Sequence, residues 1–150
     1  MAAIGAERVG IRLSPFGAFN STGTYPEQAE QYLALARELS SLGLLYLHVL
    51  DHSAMGAPAV PAEYKAKLRA AFKGVFILAG GFDRASAEKA LAENRADLIA
   101  FGKPFLANPD LFERLRSGAP LNTPDMTTFY TPGAKGYTDY PRLAAQSATL

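Results

Sequence analysis

The stretch VFILAGGFD, residues 75–83, contains the structural unit that recurs along this 150-residue chain. Val75 to Ala79 is an apolar run of strand length, and a pair of glycines follows it directly. Asp83 comes next, and aspartate is a residue type that caps the beginning of helices. Arg84 to Asn94 then carries alanine and leucine at helical spacing. The stretch therefore predicts a buried strand, a tight glycine turn and a helix in direct succession.

The same order of strand and helix occurs four times in the sequence. The apolar runs of strand length are Val9 to Leu13, Leu44 to Leu50, Val75 to Ala79 and Leu98 to Phe101. The segments with helical spacing are Glu27 to Leu42, Pro61 to Phe72, Arg84 to Asn94 and a last helix with Asn108 as its expected cap and Pro109 in its first turn. Gly43 and Gly118 are expected to end the helices that precede them. Strands joined through crossover helices lie parallel, so the pattern predicts an α/β fold of four βα units over about residues 8–118.

The final segment, about residues 119–150, is rich in proline, glycine, threonine and tyrosine and has no sustained period. We expect it to be an ordered tail that caps one end of the fold. The aromatic residues expected to anchor it are Phe129, Tyr130, Tyr137 and Tyr140. Four βα units form either an open sheet or half of an eight-stranded barrel, and the pattern does not separate the two. A complete barrel takes about 250 residues, so this chain alone cannot form one.

The composition excludes several kinds of function. Fifteen basic and fourteen acidic residues leave a net charge of +1, which provides no long-range field to attract nucleic acid or an anionic membrane. The absence of cysteine excludes disulfides, thiolate metal sites and thiol nucleophiles. No apolar stretch approaches the roughly 20 residues that span a bilayer, and no signal peptide is recognisable. We therefore expect a cytoplasmic protein whose redox chemistry, if any, needs a bound cofactor.

The first strand contains an arginine in an otherwise apolar setting. Because side chains alternate along a strand, Arg12 is expected on the face opposite the helices. A guanidinium there is costly unless an anion or several acceptors meet it. Two interpretations stay open: a structural ion pair with a neighbouring strand, or a ligand contact at the C-terminal end of a parallel strand, where α/β sites gather.

Two further strand ends carry residue types that suit a phosphate. Gly80 and Gly81 would leave backbone N–H groups unshielded where the third helix begins. Gly102 and Lys103 follow the fourth strand and add a cation. Neighbouring βα turns of this kind match the phosphate site that barrels commonly build from their last two strands. The pattern thus favours a phosphate-bearing ligand.

Other chemistries receive little support from the sequence. His48 and His52 would share one face of a helix, but they lie on a strand that enters a loop, where they diverge, and no metal site is expected. Ser14, Ser53 and Ser86 lack the setting of a serine nucleophile. We expect no catalytic nucleophile in this chain.

Four segments of the chain resemble the Old Yellow Enzyme family of flavin-dependent ene-reductases. The matching segments, in the order of that family, are Val9 to Gly17, Ala79-Gly80-Gly81, Ala100 to Leu111, and Thr128-Phe129-Tyr130 with Gly136 to Pro141. The resemblance covers roughly Ala6 to Leu143. It implies that the chain is the C-terminal half, strands five to eight, of a (β/α)8 barrel that binds FMN.

The resemblance also implies roles for particular residues. Arg12 matches the strand-five arginine near N1 and the C2 carbonyl of the flavin, where a cation favours the anionic reduced flavin. Gly80 and Gly81 match the strand-seven turn at the FMN phosphate. Tyr130 matches a C-terminal tyrosine near the flavin edge. The strand-eight Gly-Arg pair is matched by Gly102 and Lys103, so a lysine stands where the family usually has a bidentate arginine.

The family's reaction has two halves: NAD(P)H reduces FMN, and the flavin then passes hydride to an activated alkene. The family's substrate-binding pair and proton donor belong to strand four, which nothing in this chain matches, so no catalytic residue is expected here. Turnover would require a complementary N-terminal half-barrel, in a split, cleaved, permuted or engineered enzyme. The alternatives are a non-catalytic half-barrel that binds FMN or another phosphate and self-associates, and an unrelated βα-repeat domain that binds a sugar phosphate. A half-barrel exposes two strand edges, so association is expected in any case.

Overall fold

The computed structural model describes residues 3–18 and 23–143, which fall into two compact units, one within residues 1–100 and one within residues 101–150. The first unit contains a four-stranded sheet in which every neighbouring pair is parallel and the strands follow chain order. Its strands are β1 (Gly10–Leu13), β2 (Tyr46–Leu50), β3 (Val75–Ala79) and β4 (Leu98–Ala100), and the helices between them are α1 (Gln28–Ser41), α2 (Ala62–Ala71) and α3 (Arg84–Ala92). The predicted α/β class with parallel βα units is confirmed.

One face of this sheet forms the core of the first unit. Alternation along the strands puts Leu47, Val49, Phe76 and Leu78 on that face, all of them buried. They pack with the apolar stripes of α1 and α2, including Leu39, Tyr64 and Leu68. The opposite face carries Arg12 and Leu98, which are exposed, and His48 and Ile77, which are partly buried. The sheet is therefore apolar under the helices and carries a cation on its other side.

The predicted ends of two helices have the expected local chemistry. Asp83 caps α3 in a reciprocal arrangement: the Ser86 N–H donates to Asp83 Oδ1 at 2.8 Å, and the Asp83 N–H donates to Ser86 Oγ at 3.0 Å. Gly43 follows α1 with a φ of +73°, a conformation in which glycine has no steric penalty. Both boundaries depend on residues adjacent in the chain, which is why sequence alone predicts them.

The second unit differs from prediction at its beginning. A short helix, α4 (Lys103–Ala107), precedes α5 (Leu111–Ser117), and Asp110 rather than Asn108 is the residue before α5. The prediction that Asn108 caps this helix with Pro109 in its first turn is therefore wrong. Asn108 instead ends α4, where its side-chain amide donates to the Pro104 carbonyl at 2.8 Å and its oxygen accepts from the Asn122 N–H at 2.8 Å. Gly118 ends α5 with a φ of +72°, as predicted.

The chain after α5 is held by a buried arginine. Arg114 is 1% exposed and donates to Asp110 Oδ1 at 2.7 Å, to the Pro120 carbonyl at 2.6 Å and to the Pro141 carbonyl at 3.0 Å. Asp110 also accepts from the Leu143 N–H at 2.7 Å. That backbone hydrogen bond, together with Arg114, keeps the pKa of Asp110 below its ordinary value. The guanidinium thus links the start of α5 at Asp110 to two points of the chain after α5, Pro120 and Pro141, which accounts for order in a segment without sheet or long helix.

Two tyrosine hydroxyls form hydrogen bonds within the same chain segment after α5. The Asp125 N–H donates to the Tyr140 hydroxyl at 2.8 Å, and the Tyr130 N–H donates to the Tyr137 hydroxyl at 2.6 Å. Tyr140 and Tyr137 therefore anchor the tail, as the sequence predicted, whereas the prediction that the Tyr130 side chain is an anchor is wrong, because that residue is exposed and only its backbone N–H takes part. Over residues 3–18 and 23–143, no helix is long and apolar enough to cross a membrane.

Candidate functional site

Arg12 lies on the open face of the sheet, and no carboxylate in the described ranges pairs with it. Its register partner on β2 is His48, whose own partner on β3 is Ile77. The guanidinium is exposed, and no ion pair within the described residues includes it. Of the two interpretations left open by the sequence, the structural ion pair is therefore not found. An unpaired cation on a sheet face is available to an anionic or acceptor-rich ligand.

The residue beside Arg12 has a hydrogen-bonding atom without a partner. Nε2 of His48 is buried and bonds to nothing in the described part of the chain. Burial, and then the positive charge of Arg12, lower the pKa of His48 below its ordinary value of 6.5. The imidazole is therefore neutral at pH 7 and does not compete with Arg12 for an anion. In the sequence, His48 stood out only through its spacing from His52. Strand alternation puts both Arg12 and His48 on the face opposite the helices, but only the register between β1 and β2 makes them neighbours.

The metal interpretation of the two histidines finds no support in the geometry. His48 lies on β2, and His52 lies beyond the end of that strand. Among the residues that the structure describes, no group of three or more histidine, cysteine, aspartate or glutamate side chains could hold a metal ion.

The two glycines after β3 are required for different reasons. Gly80 has a φ of +118°, and a Cβ at this position would lie 2.2 Å from the backbone oxygen of Asp51. Gly81 has a φ of +67°, and its Cβ would meet only Ala54, at an ordinary 3.5 Å. Gly80 therefore permits close packing between the ends of β2 and β3, whereas Gly81 is exposed. The exposed backbone of Gly81 is open to a ligand, as a phosphate-binding turn requires.

An ion pair supports the residue against which Gly80 packs. Asp51 Oδ2 accepts from Lys65 Nζ at 2.6 Å and from the Val60 N–H at 3.3 Å, and Oδ1 accepts from the Ser53 N–H at 2.9 Å. Burial alone would raise the pKa of Asp51, but the hydrogen bonds from Lys65 and Ser53 outweigh it and hold the pKa below its ordinary value. The carboxylate is thus ionised and fixes the loop after β2.

Replacement of Lys65 by methionine is expected to lower the free energy of unfolding at pH 7 by about 1.5–3 kcal/mol, because it removes a charged hydrogen bond from a buried carboxylate. The folded pKa of Asp51 lies below the unfolded value of about 3.9, so the pair stabilises fully above that value and loses its contribution as pH falls through the folded pKa. The difference between K65M and the unmodified chain, measured by urea unfolding, should therefore shrink below about pH 4. K67M, on the exposed side of the same helix, is the control; an equal loss there would contradict the assignment.

The fourth strand end lies partly in the second unit. β4 neighbours β3 through the pair Ala79 and Ala100. Gly102 is exposed, and nothing lies within 4 Å of a Cβ placed on it. Lys103 is the first residue of α4 and belongs to no ion pair in the described ranges. The Gly102 carbonyl accepts from the Leu106 N–H at 3.0 Å, but no described ion pair occupies the Lys103 ammonium, which leaves it available to a ligand.

Tyr130, the remaining predicted site residue, lies in the second unit. Its φ is +60°, its side chain is 86% exposed, and its ring packs edge to face against Phe129 with centroids 6.4 Å apart. A large aromatic side chain that is this exposed and held in a left-handed conformation contributes little to internal packing.

The residues of the first unit that were predicted to bind a cofactor lie on one sheet. Because β1 and β3 are parallel, Arg12 near the end of β1 and the glycine turn after β3 belong to its C-terminal edge, where ligands of α/β proteins bind. An unpaired cation, an orphaned buried imidazole nitrogen and an exposed glycine backbone fit a cofactor with acceptor atoms on a ring and a phosphate. FMN is such a cofactor.

These features define an α/β protein built from parallel βα units, with a candidate ligand site at the strand ends. A sequence profile of the NADH:flavin oxidoreductase / NADH oxidase family matches residues 1–122. The chain therefore belongs to that family of oxidoreductases, the Old Yellow Enzyme family that its motifs resemble. The family match excludes the alternative of an unrelated βα-repeat domain.

Individual relatives agree with this family assignment. The chain is 45% identical over 144 residues to 12-oxophytodienoate reductase 2 of Arabidopsis thaliana, covering 93% of this chain and 38% of the relative. It is 45% identical over 146 residues to a 12-oxophytodienoate reductase-like protein of Solanum lycopersicum, covering 96% of this chain and 38% of the relative. The chain thus spans about 38% of the length of these relatives.

Solved structures are similar to this chain in backbone fold as well as in sequence. Morphinone reductase superposes with a TM-score of 0.88 at 44% identity, over 97% of this chain and 39% of that structure. A structure described as TcOYE with pHBA superposes with a TM-score of 0.84 at 35% identity, over 94% of this chain and 37% of that structure. The four-stranded sheet therefore corresponds to part of the (β/α)8 barrel of this family, and the open-sheet alternative is excluded.

Proposed function

We propose that this chain is the FMN-binding part of an ene-reductase, and that it holds the phosphate and the N1 side of the flavin. The observation that carries the proposal is Arg12, an exposed cation on the open sheet face that forms no ion pair with any described residue. Its position matches the strand-five arginine of the family. Gly80 and Gly81 would offer backbone N–H groups to the phosphate, and Gly102 with Lys103 would add a further N–H and a charge.

Bound FMN would supply hydride transfer from NAD(P)H to an alkene conjugated with a carbonyl group, in the cytoplasm, where NAD(P)H is available. The contribution of this chain is binding and electrostatics: Arg12 would place positive charge where the reduced ring carries negative charge, and the neutral His48 adds no second charge beside it. The relatives are named as reductases of 12-oxophytodienoate and morphinone, which supports the proposed substrate class.

Turnover is proposed to need residues that this chain does not supply. No residue matches the family's strand-four substrate pair, so the proposed partner is the complementary N-terminal half of the barrel. The exposed cation and the exposed Leu98 on the open face of the sheet support an association there. The second candidate function, a non-catalytic half-barrel that binds FMN and self-associates, rests on the same open face.

The test is native mass spectrometry of the purified chain with FMN, followed by an assay of enone reduction with NADPH. We expect one FMN per chain and no turnover until an N-terminal half is added. Turnover by the chain alone would refute the need for a partner. Absence of FMN binding would refute the cofactor role, and a homodimer that stays inactive with the N-terminal half would favour the second candidate.

The lysine at position 103 allows a prediction about phosphate affinity. K103R restores a bidentate fork and is expected to tighten FMN binding by about three- to tenfold, whereas K103A is expected to weaken it by a similar factor. Quenching of flavin fluorescence measures the dissociation constant, and riboflavin, which lacks the phosphate, is the control ligand. Equal effects on FMN and riboflavin would remove Lys103 from the phosphate site.

A further inference from the structure

The backbone of Asp51 contacts both the end of β3 and the glycine turn that follows it. Its N–H donates to the Ala79 carbonyl at 2.9 Å. Its carbonyl oxygen lies against Gly80, where a Cβ would be 2.2 Å from it. The position of the Asp51 backbone therefore sets where the Gly80-Gly81 turn begins.

The side chain of Asp51 ties the same residue to α2 and to the loop after β2. Asp51 is 6% exposed. Its carboxylate accepts hydrogen bonds from Lys65 Nζ at 2.6 Å, from the Val60 N–H at 3.3 Å and from the Ser53 N–H at 2.9 Å. Buried polar groups whose hydrogen bonds are satisfied are rigid. The Asp51 backbone is therefore held in place as long as the carboxylate stays charged and bonded to Lys65.

The same carboxylate is connected to the second glycine of the turn. The Ser53 N–H that bonds Asp51 Oδ1 belongs to the first residue of a single 3₁₀ turn, Ser53–Met55. Ala54, in the middle of that turn, lies 3.5 Å from the place that a Cβ would take on Gly81. The surroundings of both glycines therefore depend on one ionised side chain.

A turn of two glycines needs such support. Glycine has more backbone freedom than any other residue, so a glycine turn keeps one conformation only where its neighbours impose it. Backbone N–H groups bind an anion when successive groups point into one concavity. Loss of that conformation would weaken a phosphate contact even though no group that touches the phosphate had changed.

We propose that Asp51 is a positioning residue for phosphate binding: its carboxylate, held by Lys65, keeps the Gly80-Gly81 backbone in the conformation that binds the phosphate of FMN. This role of Asp51 rests on the proposed function, because it takes the glycine turn to be the phosphate site. Asp51 acts through its carbonyl oxygen and through Ser53, not by contact with the ligand. The Lys65 ammonium, 2.6 Å from the carboxylate, offsets its negative charge near an anion site.

The dissociation constants of FMN and riboflavin, measured by quenching of flavin fluorescence, test the proposal. Riboflavin lacks the phosphate, so the ratio of the two constants reports the phosphate contact. A fraction of unfolded chain raises both apparent constants by the same factor and leaves the ratio unchanged. The ratio therefore separates positioning of the turn from a loss of stability.

Asp51→Asn keeps the size of the side chain and removes its charge, which breaks the ion pair with Lys65. The preference for FMN over riboflavin is expected to fall about tenfold, the effect of one lost charged hydrogen bond. K65M, which leaves the carboxylate bonded to backbone N–H groups, is expected to lower the preference about threefold, a part of the same loss. K65R keeps the cation, and K67M removes one from the exposed side of α2, so both are expected to retain the preference.

The sign of the D51N effect distinguishes positioning from charge. Removal of a negative charge near an anion site would by itself strengthen FMN binding. A preference that D51N leaves unchanged or increases, or equal losses in K65M and K67M, would overturn the role of Asp51 and leave the flavin role standing. An unmodified chain that binds FMN no more tightly than riboflavin would refute the phosphate role of the turn, and the role of Asp51 with it.

A second measurement needs no flavin. In the ligand-free ¹⁵N-labelled chain, the heteronuclear NOE of Gly80 and Gly81 is expected to fall in D51N and K65M, because the turn becomes mobile on the picosecond to nanosecond timescale. The NOE is expected to stay the same in K67M. Values that D51N leaves at those of the unmodified chain would also overturn the role of Asp51.

Discussion

Replacement of Gly80 by alanine is expected to lower the free energy of unfolding by at least about 3 kcal/mol. Two costs add. The φ of +118° is a conformation that residues with a Cβ rarely adopt, and the Cβ would lie 2.2 Å from the backbone oxygen of Asp51. A backbone atom cannot rotate away as a side chain can, so the ends of β2 and β3 must separate. Guanidinium unfolding followed by circular dichroism measures the loss.

The neighbouring glycine is the matched control for this prediction. G81A introduces the same methyl group at a φ of +67°, where its only close neighbour would be Ala54 at 3.5 Å. Conformational strain alone applies, and the expected cost is about 1–2 kcal/mol. G102A, at a position with no close neighbour, is expected to be nearly neutral. Equal losses in G80A and G81A would show that contact with Asp51 does not matter.

Replacement of Arg12 by alanine is expected to weaken FMN binding by about 10- to 150-fold, the range that follows from about 1.5–3 kcal/mol for a charged hydrogen bond. The side chain has no partner within the described part of the chain, so its removal breaks no internal ion pair. Stability without FMN should therefore change little. The reduction potential of bound flavin should fall, because the cation favours the anionic reduced form.

Two variants separate charge from shape at this position. R12K keeps the positive charge and is expected to retain most of the potential while losing part of the affinity. R37A removes an exposed arginine on α1 and is expected to change neither quantity. Affinity and potential both unchanged in R12A would remove Arg12 from the flavin site.

Local sequence patterns predicted most of the fold. The strands β1 to β4 and the three helices between them lie within one or two residues of their predicted bounds, because apolar spacing, an aspartate cap and terminal glycines act on neighbouring residues. The pattern missed α4, whose five residues are too few to show a helical period. The cap at Asn108 was misplaced for a related reason: its side chain bonds Asn122, fourteen residues away, and no local rule anticipates that contact.

The sequence by itself determined the repeated βα order, the family motifs and the candidate residues Arg12, Gly80 and Gly81. The tertiary structure decided what surrounds them. Among the residues that the structure describes, it placed no carboxylate against Arg12 and put Arg12 beside His48, whose Nε2 forms no hydrogen bond there; it also set Gly80 against the Asp51 carbonyl. The physical reason is that alternation within a strand is local, whereas the neighbour of each side chain depends on register between strands that lie far apart in the chain.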